Sequence, residues 1–297
     1  MRTSSTASAR VFRPAWRATF TAAAFFLLTV WALGQTKPSS TASASPDYSQ
    51  EPFIVESMVS HFAFENDGTA TQELTAHLRI QTDAGVQQWG LLTFAYLKAN
   101  DTVEIAYVRV RTPDGTVVIT PPENFQDIES EVSRIAPMYS DLRQKHVAVK
   151  GLSPGDILEY RMQSRTHTPQ VPGQFWLSYN FTSEGIALEE QLEVSVPRAR
   201  EVKVKSADAQ PAIREEGVRR FYIWKTNKLK RKTDEEKGKE SKKDAPAPSV
   251  QLTSFRSWEE VGNWYGGLQS DRVVPTAEVR AKAAELTRTA VTEMAHY

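Results

Sequence analysis

No cysteine occurs in the 297 residues. That absence excludes disulfides, thiolate zinc and iron–sulfur sites, a cysteine nucleophile within this sequence and the lipidated cysteine of a lipoprotein. Histidine is scarce: His61, His77, His146, His167 and His296 are the full set. None stands in H-x-H or H-E-x-x-H spacing, so no metal motif forms. Charge of one sign is also missing. The 36 basic groups are matched by 36 acidic ones, which leaves no basic footprint for nucleic acid. There is no glycine-rich phosphate loop and no strand–helix alternation, so a parallel nucleotide-binding sheet is not indicated.

What is present begins with a targeting segment. Arg2, Arg10, Arg13 and Arg17 precede an apolar run from Ala18 to Leu33. The run is about 16 residues, shorter than the roughly 20 of a membrane-spanning helix. With small residues at Ala32 and Gly34 it reads as a secretory signal over residues 1–34. Cleavage before Gln35 and cleavage after Ala44 both fit, and an uncleaved segment would act as a membrane anchor. The expected location is exported, periplasmic or extracellular. Removing residues 1–34 takes away four arginines and no acid, leaving 32 basic against 36 acidic groups and a net charge of −4. Residues 35–50, rich in Ser, Thr, Ala and Pro, read as a flexible spacer.

Residues 51–254 carry the pattern of strands. Leu74, Ala76, Leu78 and Ile80 alternate with polar residues, so one face of that strand is buried. Asn66-Asp67-Gly68 and Pro113-Asp114-Gly115 supply hairpin turns. Further strands are predicted around Val103–Val110, 117–119, 146–149, 157–162, 175–181, 188–196, 202–204 and 218–224. Short strands with a turn every 8–12 residues predict a mainly β fold, an antiparallel β-sandwich. Residues 225–249 interrupt it with nine basic and five acidic groups from Lys225 to Asp244, followed by Ala-Pro-Ala-Pro. This reads as a charged disordered loop. Beyond it the period becomes helical. Ser257 and Glu260 form a capping-box pattern ahead of Trp258, Val261, Trp264 or Tyr265 and Leu268, and a second helix follows from Ala277. Two C-terminal α-helices over residues 255–297 are therefore expected.

Each candidate for chemistry competes with a plainer reading. Gly151-Leu152-Ser153-Pro154-Gly155 matches the G-x-S-x-G nucleophile elbow. Yet a strand follows it rather than a helix, and Pro154 has no backbone N–H to give an oxyanion. Pro-Gly in the middle of four residues signals a type II turn instead. His61 and His77 flank the first hairpin and are candidate cross-strand neighbours; as sheet histidines they need no metal. The pairs Glu189-Glu190, Glu215-Glu216 and Glu259-Glu260 offer carboxylates, but neighbours on a strand point to opposite faces. Trp89, Tyr96, Tyr139, Phe175, Trp176 and Tyr179 are either core packing or a stacking surface for sugar or peptide. No catalytic, cofactor-binding or metal residue is assigned, and no cofactor is expected.

The stretch from about Tyr48 to Trp264 resembles domain of unknown function 3857, an exported bacterial domain. The resemblance rests on an ordered set of landmarks: Gly85 to Gly90 followed by Leu91 to Tyr96; Arg109 to Gly115; Met138-Tyr139-Ser140-Asp141 with Arg143; Gly151 to Tyr160; and Ser254 to Trp258 with Trp264-Tyr265. In that family the sandwich usually precedes a transglutaminase-like domain of the Cys-His-Asp class. The resemblance thus implies a non-catalytic module that positions a substrate or partner, the partner being that domain or another exported protein. Residues 255–297 would be the run into it. No catalytic cysteine lies in the sequence, so none of the triad's roles carries over. The alternative is a carbohydrate or cell-wall binding module that uses exposed aromatics. Asp141–Arg143 and the Pro154-Gly155 turn are expected to be structural determinants.

Overall fold

A computed structural model describes residues 48–138, 140–183, 185–207, 209–230, 248–270 and 273–288. The expected signal segment, most of the expected spacer and residues 231–247 of the expected charged loop lie outside the described residues. The first half of the fold contains β1 (Phe53–Phe64), β2 (Ala70–Ile80), α1 (Asp83–Trp89), β3 (Leu91–Leu97), β4 (Asp101–Arg111), β5 (Val117–Ile119), β6 (Phe125–Glu129), α2 (Glu131–Ile135) and β7 (Leu142–Ala148). The second half contains β8 (Ile157–Thr166), β9 (Trp176–Tyr179), β10 (Ile186–Pro197), β11 (Lys203–Ser206), β12 (Ala212–Glu216), β13 (Arg219–Lys228) and β14 (Val250–Thr253). Two helices close it, α3 (Trp258–Ser270) and α4 (Ala277–Thr287). The fold is mainly β with two C-terminal helices, as the sequence pattern predicts.

One large sheet organises the molecule. Its eight strands run β12-β13-β10-β1-β2-β8-β4-β5. Two three-stranded sheets, β3-β7-β6 and β11-β14-β9, complete the β-structure. Alternation in β2 aims Ala76, Leu78 and Ile80 at one face. There they meet Val55, Val108, Val110, Leu158, Leu92 and Val147 in a first core beneath β3 and β7. Further along β1, Phe64 joins Leu192, Val194, Tyr222, Trp224 and Leu252 in a second core beneath β9 and β14. Both cores lie on the same face, because Phe53 and Val55 keep phase with Met58, Phe62 and Phe64 through a bulge at Glu56. The pairing is antiparallel throughout the sheet except for β1 and β10, which run parallel.

Several loops follow from their residues. The Ser153–Asp156 turn closes with Asp156 N–H donating to the Ser153 carbonyl at 3.2 Å, and Gly155 takes φ +95°. The buried Asp156 carboxylate accepts the Ser153 N–H at 2.8 Å. A strand, β8, then follows, so this segment is a turn and no hydrolase elbow. The Asp141 carboxylate accepts the Ala99 N–H at 2.6 Å. Asp127 accepts from Arg143 Nε at 2.9 Å and from the Tyr96 hydroxyl at 2.7 Å. Tyr96, Asp127 and Arg143 therefore tie β3, β6 and β7 together, a structural task. β13 runs on to Lys228, so the charged segment starts later than residue 225.

Candidate functional site: an aromatic groove beside the smaller sheet

On the outer face of the large sheet, several acidic and basic groups pair with one another. Glu159 is buried, and Arg109 Nε and Arg111 Nε donate to it at 2.6 and 2.9 Å. Burial pushes its carboxyl up, but the hydrogen bonds from Arg111 and Arg109 outweigh this and hold it below the usual carboxylate range. Arg161 and Gln163 hold Glu73. His61 and His77 are not paired across the hairpin. Strand register places His61 opposite Glu73 and His77 opposite Ser57, and His61 Nδ1 instead approaches Glu193 at 3.4 Å. Register also aligns Ser57, His77 and Glu159 on three adjacent strands. No hydrogen bond joins the three among the described residues, and both oxygens of Glu159 are taken by arginines. Among the described residues no three His, Asp or Glu side chains cluster closely enough to hold a metal ion.

The acidic pairs divide as strand geometry requires. Glu189 is exposed, whereas Glu190 is 1% exposed. Its carboxylate accepts the Thr182 N–H and, at 2.8 Å, the Thr182 hydroxyl. Burial pushes the Glu190 carboxyl above its ordinary value despite these bonds. Glu215 pairs with Arg198 and Arg220. Glu260 accepts the Arg256 N–H at 2.7 Å, while its own N–H donates to Ser257 Oγ at 3.3 Å, a capping arrangement that starts α3.

The aromatic residues separate more informatively. Phe175 is buried and stacks on Phe64 at 4.6 Å. Trp89 meets the edge of Phe53 at 5.2 Å. The Tyr179 hydroxyl reaches Ser60. Tyr139 lies outside the described residues. Trp176 differs: it is 44% exposed. Successive residues of β9 alternate faces, so Leu177 and Tyr179 enter the second core while Trp176 and Ser178 face outward. The same alternation on β14 and β11 turns Thr253, Gln251, Lys203 and Lys205 outward. Register sets Lys203, Thr253 and Trp176 in one row and Lys205, Gln251 and Ser178 in the next.

These two rows form the floor of a groove of about 650 Å³, and Trp258, Val261 and Trp264 of α3 form its wall. Phe255 leans on Trp176 with ring centroids 6.0 Å apart. The Lys203 ammonium donates to the Arg256 carbonyl, pinning the start of α3 to β11. Hydrogen bonding from Ser257, with Lys203 nearby, holds the Glu259 carboxyl below its usual value. Among the described residues no acid lines the groove. The helical stripe of α3 thus splits between groove and solvent: Trp258 and Tyr265 are 86% and 57% exposed. The sequence alone singles out Trp176 as an aromatic, whereas Trp258, Val261 and Trp264 or Tyr265 read only as a helical stripe. The missing signal was the even spacing of Trp176 and Ser178, which opposes their neighbours in the core.

No curated protein matches the chain. Among solved structures, a "putative protease" from Parabacteroides distasonis superposes with a TM-score of 0.67 at 16% identity, over 82% of this chain and 48% of that one. The chain therefore spans about half the length of that protein, and the likeness is one of fold. An M1 zinc metallopeptidase from Deinococcus radiodurans reaches a TM-score of 0.35 at 10% identity over 69% of this chain and 42% of that one. A "putative nutrient binding protein" from Legionella pneumophila reaches 0.36 at 12% identity over 80% and 77%. Neither superposes well enough to bear on the site. Residues 66–233 match DUF3857, a domain of unknown function with a solved structure. This match takes in more than half of the sequence, and the chain belongs to the DUF3857 family.

Proposed function

We propose that this chain is a non-catalytic, exported β-sandwich module that positions a partner domain or protein, a transglutaminase-like domain being the partner its resemblance implies. The observation that carries the reading is the stripe on α3. Trp258, Tyr265 and Leu268 are each more than half exposed, next to a groove walled by the same helix. An amphipathic helix stabilises a fold by burying its stripe, and this one leaves it largely uncovered. The two buried glutamates support the reading, because Glu159 is tied to Arg109 and Arg111 and Glu190 to Thr182. Two measurements test it. The purified chain should show no amidase or amine-transfer turnover on casein with a fluorescent amine, and turnover would overturn the non-catalytic part. Protein recovered from the producing cells should lie outside the inner membrane with an N-terminus at Gln35 or Ser45. An intact N-terminus in the cytoplasmic fraction would overturn export.

The half-exposed Trp176 beside Phe255 favours a second reading, a carbohydrate or cell-wall binding module. Insoluble polysaccharide should then retain the chain and release a Trp176→Ala variant. No retention of the parent chain removes this reading.

A further inference from the structure

We infer that the groove between α3 and the β11-β14-β9 sheet is a binding site for an extended apolar peptide segment that carries carboxylates, supplied by a partner protein. The inference rests on the partner-positioning reading above and gives that partner its chemistry. Three observations converge on it. The floor is a pleated surface whose rows, Lys203–Thr253–Trp176 and Lys205–Gln251–Ser178, repeat every second residue. An extended segment laid along it presents side chains with the same period of two. The apolar surfaces, Trp176 and Phe255 below and Trp258 and Trp264 from the helix, take flat or branched side chains and exclude water around them.

Charge selects the sign of the segment. Two lysines and, among the described residues, no acid line the groove, in a sequence whose 36 basic and 36 acidic groups balance as a whole. Lys203 is engaged with the Arg256 carbonyl and lies near Glu259. Lys205 stands one pleat further along the same face, and among the described residues no carboxylate pairs with it. A carboxylate on the incoming segment completes it, whereas a lysine there meets like charge. β9 and β11 are the outer strands of this sheet, so each has a side that its own sheet does not pair.

The test uses the full chain and three probes: a fluorescent hexapeptide of leucine, tryptophan and glutamate, its counterpart with lysine for glutamate, and a labelled chitin hexamer. Fluorescence polarisation should show the acidic peptide binding about tenfold more tightly than the basic one, the size of one charge pair turned from attractive to neutral or repulsive. Lys205→Glu should reverse that order. Trp258→Ala, at a site already 86% exposed, should fold as the parent does by circular dichroism and lose most of the binding. Equal binding of the two peptides, binding unchanged in both variants, or retention of the chitin hexamer in place of the peptides would overturn the inference. A chain with no turnover, correct export and no peptide preference would overturn this inference and leave the partner-positioning reading standing.

Discussion

Two buried glutamates with opposite electrostatic histories sit within this one sheet. Glu159 shares its carboxylate between two arginines that are 37% and 43% exposed, and its folded value is depressed. A depressed carboxyl contributes stability that is present above its unfolded value of about 4.3 and is lost as pH falls. Among the described residues Glu190 has Thr182 as the hydrogen-bond partner of its carboxylate, and its folded value is raised. A raised carboxyl favours the folded state most below the unfolded value, and that contribution fades as pH climbs through the folded one. Glu159→Gln should therefore cost about 2 kcal/mol near neutral pH, because two guanidiniums lose their counter-charge. The loss should shrink on acidification. Glu190→Gln keeps an oxygen for Thr182 and removes the buried charge, so it should gain on the parent as pH rises. Melting temperatures of the three proteins from pH 4 to 7.5 give the comparison. Parallel pH profiles for the two variants would refute the assignment.

At the scale of single elements, close approach matters as much as propensity. A Cβ on Gly85 in α1 would lie 2.0 Å from the Pro52 carbonyl oxygen, which already accepts the N–H groups of Gln81 and Thr82. Gly85→Ala must displace α1 or the entry to β1, at a cost of about 2 kcal/mol or more. Gly262 in α3 has nothing within 4 Å of the same position. Gly262→Ala should stabilise the helix by up to about 1 kcal/mol. Urea titration of both variants checks the signs, and a neutral Gly85→Ala would refute the packing argument. The same contrast explains how far the elements were legible. β2, β4, β8 and β10 announce themselves by alternation, and the switch from Val103 and Ile105 to Val108 and Val110 already marks the bulge in β4. By contrast, β12 is exposed along its whole length and β6 nearly so, so neither carries a periodic signal. α1 and α2 span 7 and 5 residues, too short for a helical stripe to emerge. The groove was half legible: Trp176 was visible as an aromatic, but its wall comes from α3, 80 or so positions away in sequence, and only tertiary packing brings the two together.

For the whole molecule, the decisive feature is that two cores share one sheet. The first core takes Phe53, Val55 and Ala187 from β1 and β10, and the second takes Phe64, Leu192 and Val194 from the same two strands. The parallel pairing of β1 with β10 spans Ile54 to Ala63, so its hydrogen bonds run beneath both cores. Neither three-stranded cover can leave without exposing apolar side chains on strands that the other cover also needs. The two regions should then unfold together, as cooperative single domains do. Leu78 is fully buried in the first core and Leu252 is 2% exposed in the second. Leu78→Ala and Leu252→Ala should each cost about 3 kcal/mol, and each should shift one common transition. The test follows unfolding by two probes at once, in a Trp89→Phe background that removes the tryptophan packed on the first core: fluorescence, with Trp224 as the tryptophan buried in the second core, and exchange of the Leu78 and Leu158 amides in the first. Coincident transitions in the parent and both variants are expected. If Leu252→Ala lowered the fluorescence transition and left the first-core amides protected, the cores would be separate folding units, and β1 and β10 would be only a mechanical link between them.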